Sequence, residues 1–155
     1  MMASYRVGFV MDPMEKIHVE DDTSVALMLE SQRRGWDVYY LLLGGLFVQS
    51  QEATGRGLPV RVDLRSGFEI TGPATTFPLR ELDAVFIRKE PPFDMDYVFS
   101  TYILELAASD TFMVNHPKGL RDANEKLFIL NFPEIIPPTC VAKEPAILKS
   151  FLASV

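Results

Sequence analysis

Two continuous apolar runs separated by a single helical segment constrain this chain more than anything else in it. Val7-Gly8-Phe9-Val10-Met11 runs without polar alternation, as expected of a strand buried on both faces. It stops at Asp12-Pro13, where proline has no N–H to give to a ladder. Asp21, Asp22, Thr23 and Ser24 then supply a helix N-terminal signal. Val25, Leu27, Met28 and Leu29 are the apolar positions of that helix, and Arg33, Arg34 and Gly35 close it with cations at the negative end of the dipole and a C-terminal glycine. Val38-Tyr39-Tyr40-Leu41-Leu42 reads as the next strand. Such a βαβ unit demands a parallel pair and a right-handed crossover. The predicted class is α/β: a Rossmann-like parallel sheet flanked by helices.

Further along, the pattern weakens from Gly44 to Arg80, where glycines, prolines and short alternating pieces (Val60 to Leu64, Phe68 to Ile70) predict a short β-hairpin excursion on the surface. Order returns with a strand at Ala84 to Ile87, a helix from Asp96 to Ala108 and a strand at Phe112 to Val114. A helix around Asn124 to Leu130 is expected next, then a Pro-rich connector through Pro133, Pro137 and Pro138. A short strand, Thr139 to Ala142, and a helix opened by Pro145 complete the reading. That last helix carries Ile147, Leu148, Phe151, Leu152 and Val155 at helical spacing. An apolar face of this kind needs a partner, expected either on the domain already described or, preferred here, beyond residue 155.

Composition removes several classes. A net charge of −6 disfavours a general nucleic-acid binder, which needs a basic face. One cysteine excludes an intrachain disulfide and a multi-cysteine metal site; Cys140, in a strand-like run, is expected to be a buried structural thiol. Two histidines, His18 and His116, make a histidine-rich metal centre an unpromising reading. The first apolar run is too short for a signal peptide or a membrane span. A cytoplasmic protein without membrane contact is expected.

The chemistry-bearing residues fall where strands hand over to helices. In open α/β sheets the loops beyond the carboxyl ends of strands are where ligands bind. Arg88-Lys89-Glu90-Pro91-Pro92-Phe93-Asp94 occupies such a loop. Arginine grips carboxylate or phosphate through a planar fork, whereas lysine is a mobile point charge. Adjacent residues leaving a strand point to opposite sides, so only one of Arg88 and Lys89 is expected to face a ligand. The plain alternative is an exposed loop with surface charges. Asp12 could accept a hydrogen bond from a substrate ammonium or amide, or simply terminate its strand and bond turn amides; the residues alone favour the second role. Lys126 could reach a nucleotide phosphate, or sit on a solvated helix face. Neither a G-x-G-x-x-G fingerprint nor a P-loop is present.

Taken in order, these segments have a specific look. Val10-Met11-Asp12-Pro13, Ser24 to Glu30 with Gln32-Arg33-Arg34-Gly35, Arg88 to Asp94, Thr101 to Glu105, and Leu120-Arg121-Asp122 with Asn124-Glu125-Lys126-Leu127-Phe128 together resemble the amino-terminal part of bacterial glutathione synthetase, an ATP-grasp ligase. The resemblance covers nearly the whole chain and is poorest from Gly44 to Arg80. It implies a pre-ATP-grasp, peptide-substrate domain over residues 1–122 and the start of an ATP-grasp domain over 123–155. It implies a reaction in which ATP phosphorylates the cysteinyl carboxylate of γ-glutamylcysteine, and glycine attacks the acyl phosphate to give glutathione, ADP and phosphate. ATP and Mg2+ are the implied cofactors, and a homo-oligomer is implied for the full-length enzyme.

Carried over residue by residue, Lys126 matches a lysine at the edge of the nucleotide site. Asp12, Ser24, Arg88 and Lys89 fall on the loops and helix start facing the peptide cleft, as candidate substrate contacts. The resemblance gives no catalytic residue and no metal ligand to these 155 residues, so the isolated chain is expected to make no glutathione. Two departures stand out: Glu90 where the family commonly has aspartate, and His116 where lysine is common. The competing reading is a free-standing, non-catalytic binding module derived from the same fold.

Overall fold

The computed structural model describes residues 4–123 and 126–155. The chain divides into two compact units, Met1–Lys118 and Gly119–Val155.

The first unit is built on the expected βαβ unit. Strand β1 (Arg6–Met11) leads through a short 3-10 turn, Met14–Lys16, into helix α1 (Thr23–Arg33) and then strand β2 (Asp37–Gln49). β1 and β2 pair in parallel, with Phe9 opposite Tyr40 and Val10 opposite Leu41. Asp22 is the N-cap of α1, its carboxylate accepting the amide of Ser24 at 2.6 Å, which satisfies a helix donor that would otherwise go unpaired. Gln32, near the other end of α1, clips the helix to the sheet. Its amide nitrogen donates to the Val62 carbonyl at 2.9 Å and its oxygen accepts the Val62 amide at 2.6 Å.

The hairpin expected between residues 44 and 80 is present but is longer, and belongs to the sheet. β2 continues to Gln49, turns through Ser50 and Gln51, and returns as β3 (Glu52–Asp63), antiparallel to β2. The outer edge of β3 is shared between β4 (Gly67–Ile70), along Val60–Asp63, and β5 (Thr75–Pro78), along Thr54–Gly57. On the other side of β1 lie β6 (Ala84–Arg88) and β7 (Phe112–Val114), both parallel, joined by helix α2 (Met95–Glu105). The order across the seven-stranded sheet is β4-β3-β2-β1-β6-β7, with β5 beside β3.

The chain therefore leaves β1 in one direction for β2 and arrives beside it from the other as β6. Right-handed connections running opposite ways across a sheet place their helices on opposite faces. Residue parity agrees. Val7, Phe9 and Met11 pack with Val25 and Met28 of α1, and Phe9 stacks on Phe86 of the neighbouring strand with ring centroids 4.8 Å apart. On the other parity, Leu41 lies fully buried with Leu79, Leu82, Val85 and Leu104 of α2. Gly55 is glycine for want of space there: a Cβ would come within 2.6 Å of the Leu41 side chain and 2.8 Å of that of Leu79.

The second unit departs from expectation in two places. The described part of the 124–130 segment forms a turn and a short 3-10 helix, Phe128–Asn131, while Asn124 and Glu125 lie outside the described residues. Thr139 to Ala142 form no strand, since β-prone side chains make a strand only where a ladder partner is in register. A short helix, α3 (Pro117–Asp122), lies across the boundary between the units; α4 (Pro145–Leu152) starts at Pro145 as expected. None of the residues of α4 is buried. Cys140, expected in a core, is only half-buried. Among the described residues no helix is long and apolar enough to cross a membrane.

Candidate functional site

The carboxyl ends of β1 and β6 stand side by side, Met11 opposite Arg88, at the point where the strand order reverses. This is the crevice in which open α/β sheets take ligands, and the two candidate loops meet there. Asp12 Oδ1 lies 3.1 Å from Lys89 Nζ, with the two side chains only 15% and 16% exposed. The other carboxylate oxygen accepts the Glu90 amide at 2.8 Å, and Lys89 Nζ also donates to the Glu90 carbonyl. Asp12 thus fastens the β6 loop to the end of β1. Its backbone carbonyl accepts the Tyr40 hydroxyl at 3.2 Å; burial pushes that phenol up to about 12, so it stays a donor at neutral pH.

Arg88 turns the other way. Its Nε donates to Ser24 Oγ at 3.1 Å, and Ser24 is almost wholly buried at the start of α1. The structure therefore sorts the adjacent cations: Lys89 goes with Asp12, and Arg88 goes with Ser24. The Pro91-Pro92 bond that follows is cis, and Asp94 caps α2 by accepting the Tyr97 amide at 3.0 Å. Lys126 belongs to the second unit, where it is exposed in the turn before the 3-10 helix. His116 is exposed, its Nδ1 accepting the Lys118 amide at 3.3 Å.

A cavity of about 590 Å³ opens beside the Asp12–Lys89 pair. Met11, Tyr40, Leu42, Leu43, Leu58 and Ala74 give it apolar walls, and its charged groups are Asp12, Lys89 and Arg56. Mostly apolar walls with a few placed polar groups are the usual composition of a small-molecule site.

The wall nearest β2 comes from an irregularity in the β2–β3 ladder. Leu41 pairs with Gly57, but the next pair is Leu46 with Gly55. The four residues Leu42–Gly45 therefore stand opposite Arg56 alone. This wide bulge turns Leu42 and Leu43 away from the ladder and into the cavity lining. Gly45 permits it, since a Cβ there would lie 3.0 Å from the Arg56 carbonyl oxygen and 3.2 Å from that of Leu42. The signal was available in Gly44-Gly45, because glycine within a strand pattern marks a bulge or a close backbone approach. Arg56 carried no comparable signal.

Comparison with known proteins follows the same lines. The family described as prokaryotic glutathione synthetase, N-terminal domain, matches residues 5–121. Glutathione synthetase of Pseudomonas putida is 42% identical over 153 residues, which is 97% of this chain and 48% of that protein. The enzyme of Yersinia pestis is 42% identical over 149 residues, 94% of this chain and 46% of its own length. For Escherichia coli strain K12 the figures are 41% over 149 residues, 94% and 47%. The chain spans about half the length of the curated relatives it matches.

Proposed function

We infer the function from one premise: the chain belongs to the prokaryotic glutathione synthetase N-terminal domain family. The sheet edge carrying Asp12 and Lys89 is then the peptide-binding wall of a cytoplasmic, ATP-dependent ligase that joins γ-glutamylcysteine to glycine. In that reaction a cysteinyl carboxylate oxygen attacks the γ-phosphorus of ATP and ADP leaves. The glycine amine next attacks the acyl carbon, phosphate departs with the C–O bond, and the amine gives up its proton. Acyl phosphates hydrolyse, so the wall's task is to hold the peptide and keep water away.

One observation carries this reading: the Asp12–Lys89 pair, at 3.1 Å, stands at the strand-order reversal and lines the neighbouring cavity. Ser24 acts through Arg88, holding its guanidinium at the α1 side of the same edge. Residues 1–122 are assigned to the peptide-substrate domain and 123–155 to the start of an ATP-grasp domain, with Lys126 at the nucleotide's edge and a homo-oligomer as the assembled enzyme. Among the described residues no group of three or more histidine, cysteine or carboxylate side chains could hold a metal ion.

The test is steady-state kinetics of the ligase that contains this domain. Asp12→Asn and Lys89→Met should each raise the KM for γ-glutamylcysteine about tenfold or more, the worth of a charge-assisted contact, and leave the KM for ATP within about twofold. Unchanged γ-glutamylcysteine kinetics in both variants would overturn the reading.

A further inference from the structure

The three charges at the cavity are not equivalent. Asp12 and Lys89 neutralise each other, and Lys89 is further occupied by the Glu90 carbonyl. Arg56 is exposed on β3 opposite the Leu42–Gly45 bulge, and its guanidinium has no carboxylate partner among the described residues. The cavity therefore carries one uncompensated positive charge on a planar, five-donor fork suited to carboxylate. Within the same lining, the Asp12 carboxylate keeps acceptor capacity beyond the two contacts it makes, since an ionised carboxylate offers about four lone-pair sites. A ligand complementary to all of this has a carboxylate, an ammonium close to it and a short aliphatic stem for the leucine walls.

We propose that the cavity receives the zwitterionic α-amino-acid head of the peptide substrate, and that Arg56 is a specificity-determining residue for it. The α-carboxylate pairs with the Arg56 guanidinium, the α-ammonium with Asp12, and the methylenes of the γ-glutamyl group lie along Leu42, Leu43 and Leu58. The amide-linked cysteine then projects out of the cavity, leaving its own carboxylate free to react. This assignment rests on the reading of the sheet edge as a peptide-binding wall.

The experiment is a titration of the ¹⁵N-labelled chain followed by amide shifts of Gly44, Gly45 and Ala74. Four probes are used: γ-glutamylcysteine; glutarylcysteine, which lacks the ammonium; 4-aminobutyrylcysteine, which lacks the α-carboxylate; and L-glutamine, which keeps the head without the cysteine. The chain should bind γ-glutamylcysteine about ten- to a hundredfold more tightly than either truncated analogue. Arg56→Gln should abolish the discrimination against 4-aminobutyrylcysteine, and Arg56→Lys should restore part of it. Asp12→Asn should abolish the discrimination against glutarylcysteine. Because the Arg56 side chain is exposed, its replacement leaves the core untouched.

If Arg56→Gln binds γ-glutamylcysteine as tightly as the parent, the assignment falls while the peptide-binding wall stands. If glutamine binds in an Arg56-dependent way but γ-glutamylcysteine does not, the assignment of the head stands and the ligase reading falls. Cavity amides that respond to none of the four probes overturn both.

Discussion

Single residues in this chain do two kinds of work, and only one kind is visible in sequence. Asp22 is legible at a helix start because a cap acts on amides two or three residues along its own chain. Lys89 and Asp12 stand 77 positions apart in the numbering, and nothing local says they meet; the switch-point rule gave the neighbourhood, and the ladder pairing Met11 with Arg88 gave the contact. Arg56 was illegible, because its meaning depends on a bulge in the opposite strand. Glu30 shows a local effect that pH exposes. Arg33 and then Arg34, bonded to it on successive positions of the helix surface, hold its carboxyl at about 2 against an ordinary 4.5. A lowered folded-state value stabilises the fold above the unfolded value and loses that contribution as pH falls through the folded one. Glu30→Gln should therefore be less stable than the parent at pH 7, with the gap closing between about pH 4.5 and 2. Urea melts at pH 7, 4 and 2.5 check this; a gap independent of pH would place the effect elsewhere.

At the scale of elements, the apolar runs Val7–Met11 and Ala84–Ile87 were readable because strands buried on both faces carry their signal in every residue. The long β2–β3 hairpin was not, because four residues without ladder partners break its alternation at Leu42–Gly45. Thr139–Ala142 was misread for the converse reason: the composition suits a strand and no neighbour is in register. The hairpin turn itself is made of unfavourable residues. Ser50 and Gln51 both have positive φ, 50° and 67°, the geometry of a two-residue turn that asparagine-glycine adopts most readily. A non-glycine residue in that region costs about 1 kcal/mol or more. Replacing the pair by Asn-Gly should stabilise the chain by about 1 kcal/mol, measured by chemical denaturation, with the cavity amides unshifted. Destabilisation would mean that Ser50 or Gln51 has a role beyond the turn.

At the scale of the molecule, every buried hydrophobic residue among the described residues belongs to the first unit, the last being Met113. Stability should follow. A chain ending at Asp122, which keeps α3 intact, should retain the sheet's far-ultraviolet signature and still unfold cooperatively, since it keeps every buried hydrophobic residue found among the described residues. Loss of cooperative unfolding in the shorter chain would mean that residues 123–155 sustain the sheet.

The bulge in β2 has a consequence for how such a protein diversifies. Leu42, Leu43 and Arg56 line the cavity from a stretch that is out of register across the two strands, while beneath it the Leu41 side chain packs closely over both Gly8 and Gly55. On the proposed binding role, substitutions in that stretch would alter what the cavity selects without disturbing the layer below. On that reading ligand preference and foldability are written in separate segments, and a lineage could revise the first while the second stays under its own selection.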